Sequence, residues 1–438
     1  MTTPVGRPPL RLRTRLAVLS GRLAGGASRL AGRGGGGTLP GWLLLRLAPD
    51  ALAELGAGLP AALVSGTNGK TTTTRLLFAA TSGPGCAVLS NHDGANLATG
   101  LATTLVRGRR GRVDLAVLEV DELALPAAVG ALHPRVVVLL NLTRDQLDRV
   151  SEVARHVPRW RDALAGAPDT QVVANADDPL VVAAVLGARP DGAGVVWVAA
   201  GQRWRADAVF CPVCASPWAD LGAGGEAAVA FACSSCDFRQ PPVAARVGDR
   251  GLELADGQVF PVRLALPGKA NIGNAALAAL AAQVLGVDLG TGLDRMATIT
   301  DVAGRYRVVD IEGRRARLLL AKNPAGWSEA LDQLAGSADP CVVAINAQAA
   351  DGTDPSWLWD VPFELLQGRA VVAAGERADD VAVRLTYGEV QSRTVPDVVA
   401  AVRAATSPGG ATCHVLANYT AFAQLLRRLD PQGSGGPA

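Results

Sequence analysis

The chain has 438 residues, 49% of them hydrophobic, and a formal net charge of +2. That length favours about three domains, each able to bury its own core, and the charge balance gives no global argument for nucleic acid. The apolar residues are mostly Ala, Val and Leu spread among charges, without the uninterrupted run of about 18 needed to cross a bilayer. The sequence reads as cytoplasmic.

Charge is nonetheless uneven, since eight arginines precede the first acidic residue, Asp50. Residues 10–30 read as a solvated, Arg-biased terminus, with a basic helix brushing an anionic membrane surface as the alternative. Their apolar stretches are too short for a secretory signal. A Gly-rich hinge at 34–37 closes this basic segment, 1–37.

At 61–74 an apolar strand runs into Gly66, Thr67, Asn68, Gly69, Lys70, Thr71 and Thr72 and then a helix over 72–80. Strand, Gly-rich turn, Lys and Thr in that order predict a phosphate cradle. Gly66 and Gly69 let backbone N–H groups point at phosphate oxygens, Lys70 reaches the β- and γ-phosphates, and the Thr71 hydroxyl can ligate Mg²⁺. Lysine usage supports this, because Lys70, Lys269 and Lys322 are the only lysines beside 39 arginines. A residual Lys marks a place for a compact ammonium rather than a guanidinium fork.

Strands over 63–65, 115–120, 136–140 and 171–175 alternate with Ala/Leu-rich helical stretches, which predicts a doubly wound, mostly parallel α/β sheet with ligands at the strands' carboxyl ends. Glu119, Asp121 and Glu122 lie at one such end. Glu119 is the first candidate to complete a Mg²⁺ shell begun by Thr71. Cys211 and Cys214, followed by Cys233 and Cys236, form two Cys-x-x-Cys knuckles, predicting a zinc ribbon inserted at about 205–240. Four thiolates close the tetrahedral shell, so this Zn²⁺ is structural. Cys86, Cys341 and Cys413 read as small buried hydrophobes.

A long apolar helix is expected over 271–285 and a boundary near 301–305. A second α/β series follows, with strands over 317–320, 341–346, 370–374 and 412–416, then a disordered tail, 431–438. The expected domains are thus a central ATP-binding unit at 38–303 and a C-terminal Rossmann-like unit at 304–430.

Four segments carry a resemblance: 66–72 (Gly-Thr-Asn-Gly-Lys-Thr-Thr), 141–148 (Asn-Leu-Thr-Arg-Asp-Gln-Leu-Asp), 266–274 (Leu-Pro-Gly-Lys-Ala-Asn-Ile-Gly-Asn) and Gly304-Arg305. In this order they resemble the motifs of the Mur ligases and folylpolyglutamate synthases, which phosphorylate a carboxylate with ATP and let an amine attack the acyl phosphate. The resemblance implies ATP and Mg²⁺, with Asn271 and Asn274 near the adenine and Arg305 near the γ-phosphate. Three departures stand out: Gln146, Ala270 and Lys322 occupy positions where such ligases usually have His. No lysine lies between Lys70 and Lys269 to be carbamylated for a second Mg²⁺.

The C-terminal half adds 322–326 (Lys-Asn-Pro-Ala-Gly), 346–360 and 375–385, similar to the MurT family, the Mur-ligase-like subunits of lipid II isoglutaminyl synthase. This resemblance implies amidation of the D-glutamate α-carboxylate of the lipid II stem peptide to D-isoglutamine, alongside a glutaminase subunit, GatD. A glutaminase needs a reactive Cys paired with His. None of the three spare cysteines sits in a Gly-x-Cys-x-Gly elbow, so ammonia has to come from a partner. The resemblance further implies that Asp351 lends the partner's Cys-His pair its third, carboxylate member, with Asp354 and Asp360 as neighbouring candidates. The alternatives are a standard Mur or folylpolyglutamate-type amino-acid ligase and a non-catalytic nucleotide-binding scaffold.

Overall fold

A computed structural model describes residues 7–30, 38–91, 95–144, 150–202, 204, 206–220, 230–300, 306–348 and 351–429. The expected hinge, the boundary at 301–305, Gln146, Arg305 and the tail lie outside the described residues.

The first sheet contains nine strands: β1 (Ala61–Ser65), β2 (Val88–Ser90), β3 (Leu115–Glu119), β4 (Val136–Leu139), β5 (Gln171–Asn175), β6 (Val195–Ala199), β7 (Ala245–Gly248), β8 (Gly251–Leu254) and β9 (Val259–Phe260). Their order is β2-β3-β1-β4-β5-β6-β7-β8-β9, parallel as far as β7 and antiparallel through β8 and β9. Strands β1, β3 and β4 are buried at every residue. Helices cover both faces, which is why these strands are unbroken apolar runs rather than alternating ones. On one face Leu63, Leu118, Val137 and Trp160 share a core with Leu55 and Leu101. On the other, Val64, Val117 and Val138 pack with Leu76, Leu77 and the small residues Ala275 to Ala282 of the helix Lys269–Val284.

Chain direction across the sheet reverses between β1 and β4. From β1 the chain moves outward to β2, returns through β3, then crosses to β4. A crevice therefore opens at the carboxyl ends of β1 and β4, where ligands of doubly wound sheets bind. The expected strands are present, and the helix predicted to begin at residue 72 begins at Lys70, giving Lys70–Thr81.

The second sheet comprises β10 (Tyr306–Ile311), β11 (Arg314–Leu320), β12 (Cys341–Ala344), β13 (Val371–Ala374), β14 (Ser392–Thr394) and β15 (Cys413–Ala417). Its order is β10-β11-β15-β12-β13-β14, parallel except for the β10–β11 hairpin. Trp327, Phe363 and Val343 fill one face; Phe422, Val342 and Val415 fill the other. Before the first sheet, the helix Leu12–Leu30 packs antiparallel on Thr38–Leu47. Their close approach needs glycine: a Cβ at Gly21 would meet the Pro40 carbonyl oxygen at 2.8 Å.

Candidate active site

The turn after β1 is held by the segment after β4. Thr67 N–H donates to the Asn141 carbonyl at 2.9 Å, and Asn68 N–H donates to Asn141 Oδ1 at 2.8 Å. Asn141 Nδ2 returns a bond to the Asn68 carbonyl at 3.1 Å, and the Thr67 hydroxyl donates to the Thr143 carbonyl at 3.0 Å. Both glycines are dictated by geometry. Gly66 has φ +143° and Gly69 has φ +83°, and a Cβ at Gly69 would lie 2.6 Å from Asn274 Oδ1. Left-handed backbone and close approach are both conditions only Gly meets without strain.

The helix Lys70–Thr81 starts behind Gly69 with no side chain capping it. The orphan N–H groups and positive dipole end of such a helix attract anions. Lys70 is buried, and its Nζ donates to Glu122 Oε2 at 3.0 Å and to the Thr67 carbonyl at 3.2 Å. Burial works against ionisation of Glu122, but the Lys70 charge and its hydrogen bonds outweigh it and hold the carboxyl below its ordinary pKa. Asp121 moves the other way, raised by burial and by the neighbouring Glu122 charge.

Glu119 is 2% exposed at the end of β3. Asn91 clamps its backbone, accepting from Glu119 N–H and donating to the Glu119 carbonyl, each at 2.8 Å. Asn96 Nδ2 donates to Glu119 Oε1 at 3.0 Å. Glu119 Oε2 is buried without a hydrogen-bond partner among the described residues. A buried, oriented carboxylate oxygen with an open lone pair is costly unless something binds it, and oxygen donors of this kind suit Mg²⁺.

Asn271 and Asn274 lie in the first two turns of the helix Lys269–Val284, with Asn274 Nδ2 3.5 Å from Asn271 Oδ1. Asn274, but not Asn271, lines a cavity of about 510 Å³ together with Asn141, Asn175 and Gln202 and, from the second sheet's unit, Arg317 and Gln333. Gln202 is anchored by Asn175 Nδ2 at 2.7 Å and donates to Asp178 Oδ2 at 3.1 Å. Burial pushes Asp178 up to about 6 against four N–H donors, one of them Leu142 N–H at 3.0 Å. Sequence reasoning missed Glu122 as the partner of Lys70, and it missed Asn91, Asn96 and Gln202; only the position of Glu122 three residues past Glu119 hinted at a second carboxylate.

Between β6 and β7, the Sγ atoms of Cys211, Cys214, Cys233 and Cys236 all lie within 4.8 Å of one another. Cys211 and Cys236 are 3.8 Å apart and Cys214 and Cys233 3.4 Å. Tetrahedral zinc with Zn–S bonds of about 2.3 Å requires S···S separations of about 3.8 Å. No disulfide joins them, and hydrogen bonds from Ser216 pull the Cys214 thiol down to about 6. Trp218, Phe231 and Phe238 pack under the knuckles, with centroids 5.4 to 6.3 Å apart.

In the second sheet, Asp351 follows β12 and is 6% exposed. Its carboxylate accepts from Thr420 N–H at 3.0 Å and from the Thr420 hydroxyl, at the start of the helix Tyr419–Leu429. Asp354 is exposed and accepts from Ser356 N–H at 2.9 Å. Asp360 pairs with Arg144 at 3.2 Å, and Arg144 also holds Asp207 at 3.2 Å.

Two family models match the chain: Mur ligase middle domain over residues 64–202 and MurT ligase C-terminal over residues 320–422. The chain is 29% identical over 450 residues to the lipid II isoglutaminyl synthase (glutamine-hydrolyzing) subunit MurT of Streptococcus pneumoniae, covering 96% of this chain and 98% of that one. Along nearly its whole length the chain resembles MurT subunits. The MurT subunit of Staphylococcus aureus is similar at 28% over 448 residues, with 96% and 98% covered. Among solved structures, a pseudomurein peptide ligase type C from Methanothermus fervidus shares the fold, with TM-score 0.63 and 18% identity over 85% of this chain and 79% of that one. The likeness to MurT subunits makes the chain a ligase in class, and the Mur ligase fold implies ATP and Mg²⁺; the four cysteines are compatible with zinc. Among the described residues no helix is long and apolar enough to cross a membrane.

Proposed function

We propose that this chain is the ATP-consuming half of a two-chain enzyme that amidates the D-glutamate α-carboxylate of the lipid II stem peptide. The product is D-isoglutamine, and ammonia comes from a glutaminase subunit, GatD. The observation that carries this reading is an uncapped helix N-terminus at Lys70, following β1, and, at the end of the neighbouring strand β3, a buried carboxylate oxygen of Glu119 that has no partner among the described residues. One suits phosphate and the other a divalent cation.

Gly66, Thr67, Asn68, Gly69, Lys70, Thr71 and Thr72 would receive the ATP phosphates, Asn271 and Asn274 the adenine, and Arg305 the γ-phosphoryl group. Thr71 and Glu119 would hold Mg²⁺, which when bound offsets phosphate charge. The substrate carboxylate oxygen attacks the γ-phosphorus, the bond to the bridging oxygen breaks, and ADP leaves. The ammonia lone pair then attacks the acyl carbon, phosphate departs with the carbon–oxygen electron pair, and the surplus proton passes to solvent. The chain contributes positioning and preorganised charge rather than a covalent intermediate of its own.

Asp351 is proposed to serve the partner's Cys-His pair, and Cys211, Cys214, Cys233 and Cys236 to hold one structural Zn²⁺. The site of action is the membrane surface that presents lipid II. Incubating the purified chain with ATP, lipid II and ammonium tests the reading: an amide is expected, whereas an amino-acid adduct or no product overturns it. Lys70→Ala should abolish amidation and leave partner binding intact. Residual activity within about tenfold of wild type would remove Lys70 from the phosphate site.

A further inference from the structure

We infer that the helix Leu12–Leu30 lies in the plane of an anionic bilayer and docks the enzyme there. The inference deepens the reading above and rests on it only for why a membrane matters.

Leu12, Leu16, Leu19 and Leu23 are 72%, 55%, 53% and 68% exposed. Their spacing of four, three and four places them in one stripe along the helix. The stripe lies opposite the packed face, where Thr14, Ala17 and Val18 are buried and Gly21 and Gly25 abut Pro40. It therefore has no role in the core. Four large apolar side chains exposed in a row are not the scattered singles expected on a soluble surface.

Charge identifies the occupant. Exposed Arg15 and Arg22 border the stripe on one side, with Arg11 beside them paired to Glu54 at 3.9 Å, and Arg13 on the other, where its Nε donates to the Leu47 carbonyl at 2.6 Å. No acidic residue occurs before Asp50. A second copy packed through this stripe would bring arginine against arginine, whereas anionic headgroups neutralise them while the leucines enter the acyl boundary. Since no described helix is long and apolar enough to span, this one lies on the surface.

The test is flotation of the full chain with phosphatidylcholine vesicles with or without phosphatidylglycerol. Binding should require the anionic lipid and fall as salt rises. Leu16→Glu with Leu19→Glu should weaken it on the order of tenfold or more, with melting temperature and amidation of a soluble, lipid-free stem peptide unchanged. If that pair fails to fold, Leu16→Gln with Leu19→Gln serves instead. Absence of wild-type vesicle binding overturns the inference, as does equal binding by the variant. Loss of a dimer or of glutaminase association, with vesicle binding retained, also overturns it and makes the stripe a protein interface. Vesicle binding without amidation would sink the proposed function and leave this surface standing.

Discussion

Asn323 Nδ2 lies 3.2 Å from Asn68 Oδ1, joining the glycine-rich turn after β1 to a residue 255 positions away in the second α/β unit. The same Asn323 caps the helix Pro324–Asp332 through its Oδ1, which accepts from Gly326 N–H at 2.9 Å. The two tasks use opposite ends of one amide. Asn323→Asp keeps the cap acceptor and removes the donor, so melting temperature should hold while ATP-dependent amidation falls by about tenfold, roughly one lost hydrogen bond. Asn323→Ala should in addition cost about 1 kcal/mol of stability. A chemical denaturation curve beside initial rates separates the two; unchanged rates for the Asp variant would make the Asn68 contact incidental.

Glu122→Gln leaves the Lys70 ammonium buried without its counter-charge, and breaking a buried pair from one side costs about 3 kcal/mol. Phosphate can replace the lost carboxylate. The variant should therefore melt lower than wild type without nucleotide, and ATP with Mg²⁺ should raise its melting temperature by more than it raises that of the wild type. The pH dependence follows from the sign of the shift. The folded pKa of Glu122 is depressed, so its contribution is present above the unfolded value of about 4.3 and is lost as pH falls through the folded value. Denaturation midpoints measured down the acid limb should show a smaller decline in Glu122→Gln.

Metal analysis of the purified chain should find one Zn²⁺. Cys211→Ser or Cys236→Ser should lower the melting temperature by several degrees before it alters amidation at low temperature, since structural zinc contributes folding free energy directly. Thiol titration revealing disulfides in a zinc-free protein would refute the ribbon reading.

Asp351→Asn should suppress glutamine-driven amidation far more than ammonium-driven amidation, with the complex still assembled, if the carboxylate orients the partner's imidazole. The bonds to Thr420 define a rival role as a cap for the helix Tyr419–Leu429. Thr420→Ala discriminates: a cap predicts that it mimics Asp351→Asn in stability and in both nitrogen assays, whereas a lent carboxylate predicts that glutamine-driven turnover survives.

The shape of the turn from Gly66 into the helix at Lys70 was legible because it is local, and glycine spacing encodes backbone shape. The cysteine cluster was legible for the same reason twice over. Central strands could be read from unbroken apolar runs such as Ala61–Ser65. Strand β14 could not, because Ser392, Arg393 and Thr394 are all exposed and carry no apolar signal. The braces around Glu119 and Asp351 stayed hidden, since Asn91, Asn96 and Thr420 approach only after distant strand ends converge. The pairing of Asp360 with Arg144 is of the same kind, a contact between separate units that no periodicity encodes.

The cysteine ribbon also bears on how the chain folds. Strands β6 and β7 are parallel neighbours, yet the whole knuckled insertion separates Ala199 from Ala245. Parallel pairing across a long connection is slow, because loop closure must precede any reward. A metal held early by the four thiols would shorten the effective loop and help bring β7 to its seat, and the β8 and β9 hairpins would then add by local closure. Metal supply during synthesis would then set the pace at which one edge of the sheet is completed.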